Sequence, residues 1–405
     1  MVCLTEMSDS GATGSTDAKN VISLRDFERR ELSLRYNKMI DAVLRILRAM
    51  GLDTRLEVDA EFNGVTLRQE IFRKFNTVRL IIGGSNRELG QSLLRELGIS
   101  EVACELGFFA DRSPRVEIKE NIRDTDIFIL QTGANDEKYS LNDYSEQLIG
   151  VIDACKRSGS RSITILVPNY PNARSDKRDA PRVPIMAKVT TTKFETAGAD
   201  RIVTLDLHSG QIQGFSDKPI DNLYAKPLFV EYLRENHFKG MTPEEINRTA
   251  VFVSPDAGGY KRVHAYSETM RVNNVTMHKE RDYTVPNQVL KSILVGGQSE
   301  VAGKRCFLFD DMIDIAGTLI ASVKELEGWG ATEVIPVATH GIFSEPALRR
   351  IDECSLIKEV IVTNSLPQVD HVRRCTKKIS VVDVAPLLAY TVVCIRFGGC
   401  ISRLF

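Results

Sequence analysis

From residue 79 onward the chain repeats one pattern. Short runs rich in β-branched residues, RLIIGG (79–84), DIFILQTG (126–133), ITILVPNY (163–170), IVTLDLH (202–208), AVFVSPD (250–256), CFLFDDM (306–312), EVIPVATH (333–340), EVIVTN (359–364) and KISVVDV (378–384), alternate with amphipathic stretches at 144–157, 184–197, 226–236 and 316–329. A strand followed by a helix, over and over, predicts an α/β protein whose parallel sheets are covered by helices on both faces. Several of the runs end in a polar burst: Pro168-Asn169-Tyr170, Asp206-Leu207-His208, Ser254-Pro255-Asp256 and Asp310-Asp311. Ligands of open α/β sheets bind outside the carboxyl ends of the strands. Bursts in two blocks of strands therefore predict two tandem α/β domains sharing a site, 79–224 and 225–405, divided near Asn222–Pro227. Ahead of them, residues 1–78 read as an extension. Its first 20 residues are Ser/Gly/Thr-rich and predicted to be disordered, and an amphipathic helix over 25–50 is stopped by Gly51.

Bulk properties exclude several functions. A formal net charge of -1 over 405 residues provides no electrostatic reason to bind nucleic acid or an anionic membrane. No apolar run approaches the ~18 residues of a membrane span, and the N-terminus lacks the pattern of a signal peptide. The eight cysteines form no CxxC pair and no zinc spacing, which predicts reduced thiols in a cytoplasmic protein.

The stretch FLFDDMIDIAGT (307–318) stops an apolar run on two adjacent carboxylates. Like charges this close raise each other's pKa and need something to meet them. A sugar diol does so, with Asp310 and Asp311 accepting from its hydroxyls. The turn Asp314-Ile315-Ala316-Gly317-Thr318 presents backbone N–H groups, a hydroxyl and a helix N-terminus to a phosphate. The alternative is a solvated strand end with Asp314 as a helix cap. DLHSGQIQGFSDKPID (206–221) brings Asp206, His208, Asp217 and Asp221 near one strand end, an oxygen-rich set with one imidazole that suits Mg²⁺, or else a surface loop. In SPDAGGYKRV (254–263), Gly258 and Gly259 let the backbone approach a ligand. Three prolines bar a helix from the first part of NYPNARSDKRDAPRVPIMAK (169–188). GxxxxGK[ST], GxGxxG, HExxH and GxSxG are all missing, so a phosphate-handling chain must use another cradle, and 310–318 offers one.

These motifs, in this order over roughly 79–390, resemble the ribose-phosphate diphosphokinases, also called phosphoribosyl pyrophosphate (PRPP) synthetases. The resemblance implies two tandem type I phosphoribosyltransferase-like domains and transfer of a diphosphoryl group from ATP to ribose 5-phosphate, with Mg²⁺ as cofactor. Lys279 and Arg281 of HKERDY (278–283) match the catalytic loop that reaches the transferring group, beside His208. Arg174 and Ser175 would contact nucleotide, supported by Asp179. In GFFADRSPRVEI (107–118), Phe109 would stack on adenine and Asp111 read it, with Ser113 where the family carries Glu. Asp256 would reach both ribose 5-phosphate and metal. Ser216 replaces an aromatic and Ile315 a threonine; THGIFS (339–344) matches too and reads as packing. A homo-oligomer is implied, a hexamer built from dimers. Two rivals share some of these features: a non-catalytic regulatory subunit of such enzymes, and a phosphoribosyltransferase, which would share 310–318 but has no use for DLHSGQIQGF or HKER.

Overall fold

The computed structural model of the chain describes residues 24–49, 61–62, 65–281, 289–295 and 297–404. Strands β1 (Val78–Ile82), β2 (Asp126–Leu130), β3 (Ser162–Val167), β4 (Arg201–Leu205) and β5 (Ile220–Leu223) lie side by side in chain order, each pair parallel. A second sheet contains β6 (Ala250–Ser254), β7 (Asn274–Arg281), β8 (Val289–Val295), β9 (Arg305–Ile313), β10 (Glu333–Gly341), β11 (Glu359–Thr363) and β12 (Lys378–Val382). Its order is β8-β7-β6-β9-β10-β11-β12, parallel except for the antiparallel β7–β8 edge hairpin. β2 and β6 are buried at every residue, as unbroken apolar runs in a sheet covered on both sides should be.

Alternation along a strand divides its side chains between two cores. In β9, Phe307 and Phe309 enter one cluster while Cys306 and Leu308 enter another. The first cluster is continuous across both domains. It gathers Leu80, Ile82, Phe128 and Leu130 from the first sheet, Phe252, Phe307 and Val337 from the second, and Ile40, Val43 and Leu47 from the helix Leu24–Ala49. That helix is the one expected over 25–50; Gly51 and the first 20 residues lie outside the described residues. The last helix, Ala385–Phe397, leaves the second sheet and packs on helices Arg87–Leu97 and Leu24–Ala49. Its Arg396 donates to the Lys74 carbonyl at 2.9 Å and pairs with Asp126 at the start of β2, where Arg161, Thr77 and Ser162 also bond that carboxylate.

The carboxyl ends of the two sheets abut. Thr132, past β2, donates to the Ser365 carbonyl at 2.7 Å, and the Asn86 amide donates to the Asn364 carbonyl at 2.8 Å. One departure from the sequence reading is 104–118. The stretch expected to contact adenine, 107–118, falls in a β-hairpin, Cys104–Phe108 with Pro114–Ile118, packed on helix Leu141–Arg157.

Candidate functional site

Where the sheets abut, β4 runs out into Asp206-Leu207-His208 and β9 into Asp310-Asp311. The His208 Nδ1 lies 2.6 Å from Asp311 Oδ2, joining residues that are 103 apart in sequence. Behind the carboxylates stands Arg262, on the helix Tyr260–Met270, with Nη1 3.8 Å from an oxygen of each aspartate. The two carboxylates are not equivalent. Asp311 is 7% exposed in its side chain, against 41% for Asp310. Burial works to raise the Asp311 pKa, but the His208 hydrogen bond, Asp310 and the Arg262 charge outweigh it and hold the group below the usual carboxylate range. Burial and the neighbouring Asp311 charge push Asp310 the other way, and its open face to solvent moderates the rise. The hydrogen bond that His208 donates to Asp311 raises the imidazole pKa above its ordinary value, against some desolvation. Burial opposes the charge on Arg262, yet Asp311, Asp206 and Asp310 keep its pKa raised.

The two carboxyls of the pair therefore differ in proton affinity, and between them such groups can accept hydrogen bonds and, when one is protonated, donate one. After Asp256, the Asp256 carboxylate accepts the Gly259 N–H at 2.8 Å, and a side chain at Gly259 would begin 2.8 Å from the Ser254 Oγ. A side chain at 259 would therefore displace the Ser254 hydroxyl from its bond to the Asp256 carbonyl.

The turn 314–318 follows Ile313. Ala316 adopts φ 56° as the N-cap of helix Gly317–Gly328. Asp314 pairs with Arg174 at 2.6 Å, so the stretch read as nucleotide-binding reaches the turn read as phosphate-binding. Ile315 is exposed, and its carbonyl accepts from Arg350 Nη1 at 2.8 Å. Arg350 also lies 3.4 Å from where a side chain at Gly317 would start, placing a cation over the proposed phosphate cradle.

Other expected residues stand elsewhere. Asp206 is buried; its Oδ2 accepts the Ala225 N–H at 2.9 Å and the Thr339 hydroxyl at 2.6 Å. Asp221 pairs with Arg201 at 2.6 Å, and Asp217 is exposed in the bend that precedes β5. Ser175 accepts the Met186 N–H at 3.2 Å, and Asp179 pairs at 3.6 Å with Lys177 on the surface. Phe109 exposes its ring at the hairpin tip, where Ser113 donates twice to Asp111, at 2.6 and 3.0 Å. Ser216 finds a hydrogen-bond partner in Glu195. Lys279 and Arg281 lie on β7, opposite Ser292 and Val289; their side chains are outside the described residues.

Among the described residues, no three His, Cys, Asp or Glu side chains converge as a metal site. Of the expected ligands, the Asp256 carboxylate is an oxygen donor of the kind a hard cation takes, whereas the His208 Nδ1 is engaged by Asp311. Mg²⁺ is commonly held by one or two protein ligands with the rest supplied by water and substrate phosphates. Sequence reasoning missed Arg262, though it lies within the quoted SPDAGGYKRV, six residues after Asp256. It missed Arg350 too, for which no local pattern exists.

The fold and the site define an α/β protein of two abutting parallel sheets, with a carboxylate pair and a tight turn at the strand ends of one and an imidazole from the other. A family model described as the N-terminal domain of ribose phosphate pyrophosphokinase matches residues 78–198, and the phosphoribosyl synthetase-associated domain matches residues 284–405. The ribose-phosphate pyrophosphokinase 2 of Schizosaccharomyces pombe is 39% identical over 330 residues, 82% of this chain and 98% of the relative. The ribose-phosphate pyrophosphokinase 4 of Saccharomyces cerevisiae is 38% identical over 330 residues, 82% of this chain and 95% of the relative. The solved phosphoribosylpyrophosphate synthetase of Mycobacterium smegmatis superposes with a TM-score of 0.70 at 37% identity, covering 80% of this chain and 99% of that one. The chain belongs to the ribose-phosphate pyrophosphokinase family.

Proposed function

We propose that the protein transfers the β,γ-diphosphoryl group of ATP to the C1 hydroxyl of ribose 5-phosphate, giving PRPP and AMP. The C1 oxygen attacks the β-phosphorus in line, the bond from that phosphorus to the α–β bridging oxygen breaks, and AMP leaves with that oxygen; the hydroxyl proton is released. No covalent enzyme intermediate is required, and catalysis rests on positioning and electrostatics. Asp310 and Asp311 hold the ribose hydroxyls, and the turn 314–318, with Arg350 behind it, anchors the 5-phosphate. Arg174 takes the nucleotide phosphates, and Phe109 with Asp111 and Ser113 takes the adenine. Lys279 and Arg281 close on the diphosphoryl group. Backbone geometry supports their part: β7 continues past Thr276, its last residue paired with β6, toward the end of the sheet that bears Asp256. Mg²⁺ near His208 and Asp256 would neutralise charge on the phosphates. We infer further a cytoplasmic homo-oligomer, a hexamer built from dimers, in which a second copy completes the nucleotide site. Phe109, 55% exposed on its own hairpin, supports that assembly. Among the described residues, no helix is long and apolar enough to cross a membrane.

The observation that carries this reading is the 2.6 Å bond between His208 of the first domain and Asp311 of the second, which makes one site of two half-sites. The test is to incubate the protein with Mg²⁺, ATP and ribose 5-phosphate and follow both products. Equal amounts of AMP and PRPP are expected, reduced at least ~100-fold in Lys279→Ala, a loss of the size seen when a charge-stabilising donor is removed. ADP in place of AMP would mean attack at a different phosphorus and end the proposal.

A further inference from the structure

The reaction requires His208 and the carboxylate pair to face each other across a domain boundary. Two residues outside the reacting groups bond across that boundary beside the His208 turn. Thr339 and His340 are consecutive on β10, the strand beside β9, with Asp310 opposite Ala338 and Met312 opposite His340. Both are buried, at 2% exposure each. The Thr339 hydroxyl donates to Asp206 Oδ2 at 2.6 Å, and His340 Nε2 lies 3.0 Å from the Leu205 carbonyl. That carbonyl only accepts, so Nε2 carries the proton, and the Ser365 hydroxyl at 3.0 Å faces the other ring nitrogen. Leu205 and Asp206 immediately precede the His208 turn. Asp206 sits at φ 42°, in the left-handed region that a non-glycine residue adopts only when its surroundings impose it. The same carboxylate holds the Ala225 N–H at 2.9 Å, where the chain passes on toward the second domain.

We propose that Thr339 and His340 are positioning residues for diphosphoryl transfer: their two bonds across the domain boundary hold the His208 turn at the place where it meets Asp311. This inference rests on the reading of 206–208 and 310–311 as halves of one active site. The geometry makes the claim specific. β10 holds none of the residues assigned to substrate above, yet it is bonded to the aspartate strand on one side and to the histidine turn at its end. Loosening it leaves each half-site whole and changes their relation. Each substrate alone is then bound as before, and the step that needs both halves slows.

The experiment compares Thr339→Val, which keeps the shape and removes the donor, with Thr339→Ser, which restores the donor. Turnover, both KM values, the Kd of ATP alone and of ribose 5-phosphate alone, and the melting temperature are measured for each. Thr339→Val should lose roughly 10²-fold in kcat, the scale of a ~1 Å misplacement. Its two single-substrate Kd values should stay within about twofold of wild type, and Thr339→Ser should recover most of the turnover. His340→Gln against His340→Leu, which keep or remove the donor to Leu205, gives the same comparison should Thr339→Val not fold. Unchanged kcat in the donor-free variants overturns the inference. So does an equal loss in donor-keeping and donor-free variants, or a loss of single-substrate binding in step with melting temperature, since that would be a merely structural role. Wild-type protein that makes no PRPP would instead remove the functional reading on which the inference stands.

Discussion

Asp310 and Asp311 are identical in type and adjacent in sequence, yet the structure predicts that neutralising them has unequal effects on folding. Asp311 is 7% exposed in its side chain, accepts from His208 at 2.6 Å and faces Arg262 at 3.8 Å. Removing one partner of a buried pair costs about 3–5 kcal/mol, mostly from the charge left behind. Two features reduce that here. Arg262 keeps Asp310 at 3.8 Å, and His208 can shed its proton. Asp311→Asn should therefore cost roughly 2–3 kcal/mol, or about 5–10 °C in melting temperature for a domain of this size. Asp310 is 41% exposed and crowded by a like charge, so Asp310→Asn should cost under about 1 kcal/mol. Both variants should weaken ribose 5-phosphate binding, so activity alone does not separate them; thermal unfolding of the substrate-free protein does.

The pH dependence sharpens the test. The Asp311 pKa is lowered in the folded state, so its contribution is present above the ordinary value of 3.8 and fades as pH falls through the lowered one. The His208 pKa is raised from 6.5, so its contribution is fully present below 6.5 and is lost as pH rises through the raised value. The stability gap between wild type and Asp311→Asn should be widest between about pH 4 and 6.5 and narrower at pH 9, where the Arg262 part remains. Equal destabilisation by the two variants, or a gap that grows toward pH 9, would refute the assignment of His208 and Arg262 as the partners that sustain the pair.

Two further outcomes concern the frame that carries the site. Asp126→Ala should lose about 2–3 kcal/mol, since it removes a carboxylate 4% exposed that pairs with both Arg161 and Arg396, while Arg161 keeps Asp124 and Arg396 keeps the Lys74 carbonyl, and hydrogen exchange should quicken first in helix Ala385–Phe397; unchanged protection there would contradict a tie between that helix and β2. Gly90→Ala puts a methyl 2.3 Å from Ile82 Cγ2, an overpacking cost of about 1–3 kcal/mol that exceeds the ~1 kcal/mol gained in helix propensity. A chemical denaturation midpoint above wild type would show that the β1–helix contact is looser than described.

All nine strands read from β-branched runs form, because a strand buried on both faces leaves an unbroken apolar signature. The hairpin Cys104–Phe108/Pro114–Ile118 is not among the strands expected from sequence because it is half-exposed, and Gly107, Pro114 and the alternating charges of 115–118 dilute that signature. Helix Ala385–Phe397 has no periodic signature in the sequence for the opposite reason: Leu387, Leu388, Tyr390, Val392, Val393 and Cys394 are buried all around it, so no polar stripe marks a period. Within the site, Asp310, Asp311 and His208 were legible because charge at the end of an apolar run is a local anomaly. The bond between His208 and Asp311 was not, since it spans 103 residues. For the same reason Arg262, Arg350 and Thr339 have no meaning until the sheets are brought together. The proposed Asp206 and Asp221 ligands show how proximity in sequence differs from proximity in space: they flank one loop, yet one faces Thr339 and the other Arg201.

The same contacts say where this molecule can yield to its substrates. The domains share one apolar cluster and bond through buried groups at Thr132, Thr339 and His340. An interface that is large and hydrophobic does not reorient readily, and buried hydrogen bonds are costly to leave unmade. The Arg174–Asp314 pair is different: Arg174 is 62% exposed, and an exposed ion pair is worth roughly 0–1 kcal/mol. A phosphate dianion entering the 314–318 turn, or nucleotide phosphates approaching Arg174, offers either partner a stronger bond than the one it has. The junction therefore splits into a rigid part that sets the distance between His208 and Asp311 and a weak part that opens without disturbing it. Substrate entry is expected to break the Arg174–Asp314 pair while the β10 contacts persist. Hydrogen exchange with and without ribose 5-phosphate would show this as altered protection confined to 314–318, with 205–207 and 339–341 unchanged; slower or faster exchange across all three segments would mean the domains move as bodies instead.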